Sequence, residues 1–97
     1  LLAVGGVGVV GTSTHFTGRR TREMIDAFVA GDVARATALN AALLPVYLGV
    51  FATQGCMLVK AGLAARGFAP GSVRKPLLDA TPQQATTFTA ILAASGL

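Results

Sequence analysis

Leu1-Leu2-Ala3-Val4-Gly5-Gly6-Val7-Gly8-Val9-Val10-Gly11 opens the chain, and from Gly5 to Gly11 it contains only glycine and valine. That run is too short for a self-supporting helix and too rich in Gly and Val to favour one. Continuous apolar content without alternation predicts a strand buried on both faces, the kind that lies inside a parallel sheet. Such a strand carries N–H and C=O groups along both edges, and nothing in the remaining sequence supplies partners for them. The partners are therefore expected upstream or in another copy. A start on Leu1-Leu2-Ala3-Val4 without an initiating Met predicts truncation inside an apolar element. Alone, the stretch is expected to be disordered, rebuilt as helix, or paired with another copy.

Outward from this strand the sequence turns helical. Thr12-Ser13-Thr14-His15 reads as a polar loop. Thr17 is placed to cap a helix running to about Ala30, with Met24, Ile25, Phe28 and Val29 on one face and Gly31 as its stop. Asp32 caps a second helix, in which Leu39, Leu43, Val46, Tyr47 and Val50 recur at helical spacing through about Phe51. Pro45 is expected to bend it or to break one hydrogen bond. A third helix is expected from about Cys56 to Arg66, ended by Gly67, and then a loop spans Ala69-Pro70-Gly71 to Pro76. Thr81 and Gln84 form a capping box with Pro82 at the first helical position. Gly96 closes that last helix, whose apolar side is Phe88, Ile91, Leu92 and Leu97.

Composition narrows the function classes. Of the 97 residues, 53% are hydrophobic and only 12% charged, against roughly 25% charged in an average soluble domain. So sparse a charge predicts that much of the surface meets other protein. The net charge of +4 is concentrated at Arg19, Arg20 and Arg22. A nucleic-acid binder would interleave its basic stripe with aromatics, and Phe16 stands alone near the cluster, so it reads as a solvated helix start. Ala36 to Val59 is free of charge, yet Thr37, Asn40, Pro45, Thr53 and Gln54 interrupt it and argue against a bilayer span. Neither nucleic acid nor membrane is expected as a partner. The lone Cys56 excludes an internal disulfide and a cysteine metal site, and a cytoplasmic setting is the default.

The motifs that could carry chemistry are weak in context. Gly6 to Gly11 matches G-x-G-x-x-G, but a dinucleotide site needs the helix to begin inside the motif, and here the motif is itself strand-like. Asp32, near the ribose-binding distance, reads better as a helix cap. His15 has no nearby carboxylate, Cys or second His, and reads as a loop histidine without a catalytic role. Lys60 could be mistaken for a Schiff-base lysine but sits mid-helix, one turn after Cys56, as a snorkelling or interface lysine. Thr12, Ser13 and Thr14 lack a nucleophile-elbow setting. No catalytic residue, metal ligand or cofactor site is assigned.

The order of these features resembles one family. Leu2 to Val10, a helix ending in Ala30-Gly31-Asp32, then Ala34-Arg35-Ala36, Leu43-Leu44-Pro45, Val59-Lys60-Ala61-Gly62-Leu63, Lys75-Pro76-Leu77 and Gly96-Leu97 are similar to the carboxy-terminal part of the dihydrodipicolinate synthases. These are pyruvate-dependent class I aldolases, a group that includes N-acetylneuraminate lyase. No single motif decides; the order and spacing do.

The resemblance implies a fragment of a (β/α)8 barrel followed by a helical domain, the fragment itself being mainly α. Residues 1–31 would be the last β/α unit and residues 32–97 a carboxy-terminal three-helix domain. A barrel's last strand pairs with the first and the seventh, which would supply the missing edges. It also implies a lyase that condenses pyruvate with aspartate semialdehyde through a Schiff base in lysine and diaminopimelate synthesis, assembled as a homotetramer. Its lysine, tyrosine and arginine would lie upstream, leaving the fragment inactive. One position carries over: the backbone carbonyl of Val10 would face pyruvate and the reactive lysine. Alternatives are a 2-keto-3-deoxy-sugar-acid or N-acetylneuraminate aldolase, or a non-catalytic helical association module. Two stretches depart from the family pattern. Gln54 to Lys60 lacks the prolines of Asn-Pro-Ile-Pro-Val-Lys, so the third helix is expected to begin early. Gly11 to His15 replaces the common Ser-Val-Thr-Ala-Asn, which bears on the second substrate.

Overall fold

A computed structural model describes all residues, Leu1–Leu97, as four α-helices behind a short irregular lead. The helices are α1 (Thr14–Val29), α2 (Val33–Gly49), α3 (Gly55–Ala65) and α4 (Pro82–Ala94). α1 packs chiefly on α2, and α4 lies against both α3 and α2.

The expected strand does not form. Leu2–Val4 winds into a single 3-10 turn closed by Gly5, whose φ of 94° is open to glycine at little cost. From Gly6 to Gly11 the backbone has no regular structure. The physical reason is the one the sequence supplies: a lone strand has no edge partners, so nothing offsets the cost of ordering it. Of the three expected outcomes, rebuilding as helix occurs over Leu2–Val4 alone. The valines stay in solvent, Val7 at 96% and Val10 at 105% exposure.

The helix ends follow the sequence closely. Asp32 Oδ1 accepts the Arg35 amide at 3.0 Å and starts α2. Thr81 Oγ1 accepts from the Gln84 amide at 3.2 Å while Gln84 Oε1 accepts from the Thr81 amide at 2.9 Å, completing the capping box of α4. Gly31, Gly67 and Gly96 all take positive φ and close Schellman motifs. The paired bonds are Gly31 N to Phe28 O with Asp32 N to Ala27 O, Gly67 N to Ala64 O with Phe68 N to Leu63 O, and Gly96 N to Ala93 O with Leu97 N to Leu92 O. α3 begins at Gly55, one residue before the expected start.

α1 corrects the reading of its start and of its buried face. It begins at Thr14, not after Thr17: Ser13 is the N-cap, its carbonyl accepts the Phe16 and Thr17 amides, and the Thr14 and Thr17 hydroxyls bond back to Gly11 O and Ser13 O as second donors. His15 therefore lies in the first helical turn, not in a loop. The buried side of α1 is Phe16, Thr17 and Thr21. Met24, Ile25 and Phe28 are half-buried, and Val29 is exposed.

Phe16, Val46, Val50, Leu58, Val59, Phe88 and Leu92 form the core, with Leu63, Ala80, Ile91 and Leu97 packed around it. Phe88 and Leu92 came from the periodicity of α4, and Val46 and Val50 from that of α2. Only 13 of 97 residues are buried, so much apolar side chain remains outside this core, including Leu44 and Leu48 of α2 and Phe51 in the turn that follows.

Candidate functional site

Between the lead, α1 and α2 lies a groove of about 590 Å³. Leu1, Leu2 and Val9 form one wall, Met24, Ile25 and Phe28 of α1 a second, and Val33 and Tyr47 of α2 with Phe51 just beyond it the third. The apolar face that sequence periodicity assigned to α1 is thus real, but it lines this groove instead of entering the core. Gly8 and Val9 reach the groove; Val10 is fully exposed beyond it. The glycines of the G-x-G-x-x-G match precede α1 and are not embraced by its first turn.

A chain of hydroxyls borders the groove, and it was not read from the sequence. Thr17 Oγ1 donates to Ser13 O at 3.1 Å, and Thr21 Oγ1 donates to Thr17 Oγ1 at 3.2 Å. Each threonine hydroxyl has one proton, and both are now spent. The contact of 3.4 Å between Thr21 Oγ1 and Tyr47 OH must therefore have Tyr47 as its donor. Thr17 and Thr21 stand one helical turn apart, a spacing that would have placed them on one face. Threonines in helices are usually surface residues, so the pair did not stand out.

The other reactive side chains are employed locally. His15 Nδ1 meets Thr12 O at 2.9 Å. Arg22 pairs with Asp26 one turn on, at 2.9 Å, on the exposed surface. Arg35 of α2 pairs with Glu23 of α1, and this hydrogen bond together with the carboxylate charge raises the arginine further above its ordinary value. Both pairs are exposed and contribute little to stability. Asp32 serves as the α2 cap. Cys56 is a free, exposed thiol. No hydrogen bond joins His15, Tyr47, Cys56 and Lys60 to one another, and no three His, Cys, Asp or Glu side chains are grouped as a metal site would require. No helix is long and apolar enough to cross a membrane.

The Lys60 ammonium turns back onto a loop of its own chain. It donates to the carbonyls of Pro70 at 3.0 Å and Ser72 at 2.6 Å, with Gly71 at 3.4 Å. Asp79 holds the far side of the same loop, accepting the Val73 amide on Oδ1 at 2.8 Å. That amide first, then the Ser72 hydroxyl and the charge of Lys60, hold the Asp79 carboxyl below its ordinary value.

Similarity to known proteins accounts for these four helices as a unit. The chain is 58% identical over 92 residues to 4-hydroxy-tetrahydrodipicolinate synthase of Cutibacterium acnes, a match covering 95% of this chain and 31% of the relative. It is 50% identical over 96 residues to the enzyme of the same name from Acidothermus cellulolyticus, covering 99% and 31%. Among solved structures, a dihydrodipicolinate synthase from Bacillus anthracis superposes with a TM-score of 0.87 at 35% identity, covering 95% of this chain and 32% of that one. A monomeric dihydrodipicolinate synthase variant gives 0.92 at 26% identity over the whole chain and 32% of its own. The chain thus spans about a third of the length of the relatives it matches. The model of the dihydrodipicolinate synthetase family matches residues 1–95, and the chain belongs to that family.

Proposed function

We propose that this chain is the carboxy-terminal third of a Schiff-base-forming lyase that condenses pyruvate with aspartate semialdehyde, a 4-hydroxy-tetrahydrodipicolinate synthase. The observation that carries the reading is the 58% identity to the Cutibacterium acnes synthase along nearly the entire chain. On this reading residues 1–31 complete a barrel as its last strand and helix, and residues 32–97 form an appended helical domain. The lysine that takes pyruvate, with the tyrosine and arginine that serve it, belongs to the other two thirds of the protein. This segment contributes the Val10 carbonyl beside that lysine and helical surface for a homotetramer in the cytoplasm.

The lead fits this reading on physical grounds. Its valines are exposed, its backbone from Val7 to Val10 makes no backbone hydrogen bond, and the groove beside it is lined by the apolar face of α1. In a barrel a strand here would find its edges satisfied by neighbours and its side chains covered. Reduction of the full-length enzyme with borohydride in the presence of pyruvate is expected to trap a covalent adduct on one lysine. Absence of the adduct mass would overturn the proposal. Condensation with aspartate semialdehyde, tested against cleavage of N-acetylneuraminate and 2-keto-3-deoxy sugar acids, separates the synthase from its aldolase relatives.

The isolated chain supports a second, compatible reading as a non-catalytic association module, favoured by the exposed Leu44 and Leu48 of α2 and Phe51 just after it. It predicts no turnover from residues 1–97 and concentration-dependent oligomers in sedimentation. A well-folded monomer would count against it.

A further inference from the structure

Lys60 projects from the middle of α3 to three successive carbonyls, Pro70, Gly71 and Ser72. An ammonium has three protons and no lone pair, so a run of carbonyls is the backbone surface that suits it. At the next residue the polarity inverts. Val73 presents its N–H, and the Asp79 carboxylate accepts it at 2.8 Å. Asp79 stands two residues before the Thr81 cap of α4, and Ala80 between them packs on the core. A cation from one helix and an anion from the threshold of another thus grip adjacent residues of one loop, each matched to the backbone polarity it meets.

We propose that residues 70–79 form a strap, locked by Lys60 and Asp79 as a single two-point clasp, which fixes how the chain enters α4 and opens as a unit when either charge is lost. Two independent anchors would hold only the groups that each one touches. In a clasp, removal of one anchor frees the groups held by the other, because Ser72 and Val73 are adjacent and share the backbone between them. The strap's exposed middle, Arg74 and Lys75, then moves with it.

The test uses cross-readouts in the full-length protein. Lys60 makes no bond to Val73, yet Lys60→Met is expected to raise hydrogen exchange in the peptide holding the Val73 amide by roughly tenfold or more, with the body of α4 still protected. Asp79 makes no hydrogen bond to Lys60, yet Asp79→Ala is expected to raise acetylation of Lys60 by a soluble amine-reactive ester by a similar factor. Unchanged Val73 exchange in a folded Lys60→Met protein, or unchanged Lys60 labelling in Asp79→Ala, would overturn the clasp. Should Lys60→Met fail to fold, the labelling experiment decides, since Asp79 is exposed and its replacement empties no core volume.

Discussion

Phe16 of α1 and Phe88 of α4 meet edge to face, their ring centroids 5.5 Å apart and their planes at 75°. They can do so because Gly62 of α3 leaves the space beside both rings. A Cβ at that position would lie 2.7 Å from Phe16 Cζ and 3.2 Å from Phe88 Cε1. Arg66, one turn further on, covers the outer side of the Phe16 ring at 4.9 Å. Neither ring can retreat without losing the aromatic contact or pressing on the core. Gly62→Ala is therefore expected to destabilise by about 1–3 kcal/mol as an overpacked site. Gly18, inside α1 with nothing within 4 Å of its added Cβ, makes the control. Gly18→Ala should stabilise by up to ~1 kcal/mol through helix propensity. Urea denaturation of the two variants checks the opposite signs.

The capping box of α4 predicts an effect confined to that helix. Removing the Thr81 hydroxyl leaves the Gln84 amide without its acceptor. Thr81→Ala should cost about 1 kcal/mol, with a smaller loss for Gln84→Ala. The two hydrogen bonds are reciprocal, so the double variant is expected to lose less than the sum. Additive losses in a double-mutant cycle would mean that the two bonds form independently.

Local chemistry explains why the helices were legible and the lead was not. Gly31, Gly67 and Gly96 stop helices by bonds made within six residues, and Asp32 and Thr81 start them within four, so short windows of sequence carry the decision. The stretch Gly5 to Gly11 has no such local determinant. Its strand character was a statement about covering surfaces and edge partners, and neither lies within residues 1–97. α1 shows the same division. Met24, Ile25 and Phe28 do share one face, but which partner that face meets is a tertiary matter, and the buried side of α1 is Phe16, Thr17 and Thr21, of which Phe16 enters the core. The acceptors of Lys60 are not legible in the sequence, because they are carbonyls ten to twelve residues away in a loop, and carbonyls leave no mark there.

The hydroxyl chain orders the effects of two further substitutions. Thr21 both donates to Thr17 and accepts from Tyr47, and it is buried. Thr21→Val leaves the fully buried Thr17 hydroxyl without its incoming donor and the Tyr47 hydroxyl without its acceptor. A loss of about 1–2 kcal/mol is expected. Tyr47→Phe removes only the long outer contact and should cost less than about 1 kcal/mol. Thermal denaturation of the two variants checks the ranking, and a larger loss for Tyr47→Phe would mean that the outer contact outweighs the bond between the two threonines.

Asp79 makes stability depend on pH in a definite sense. Its folded carboxyl titrates below the ordinary value of 3.8, held down first by the Val73 amide. A group depressed on folding contributes stability that is fully present above the unfolded value and lost as pH falls through the folded one. The stability difference between the parent protein and Asp79→Asn should thus be level from neutrality down to about pH 5 and shrink below about pH 4. Denaturation midpoints at pH 7, 5 and 3 check it. A difference that grew on acidification would contradict the cause assigned to the shift.

The proposed strand at residues 2–10 is tested most directly at Val9 and Val10 in the full-length enzyme. If Val10 acts through its carbonyl, the side chain is replaceable by one of similar β-branched shape. Val10→Ile should then leave the yield of the borohydride-trapped pyruvate adduct unchanged. Val9→Pro is a different intervention. It removes a backbone N–H that a strand between two neighbours must donate, and it constrains the residue before it. The 97-residue chain tolerates this, because Val9 makes no ladder bond there. A closed barrel would not, and displacement of the neighbouring carbonyl by even about 1 Å is expected to lower kcat by roughly a hundredfold. The contrast between the two contexts is the informative result. Val9→Pro should leave the helical circular dichroism of residues 1–97 intact while disabling the whole enzyme. Equal tolerance in both would mean that the lead does not become a barrel strand.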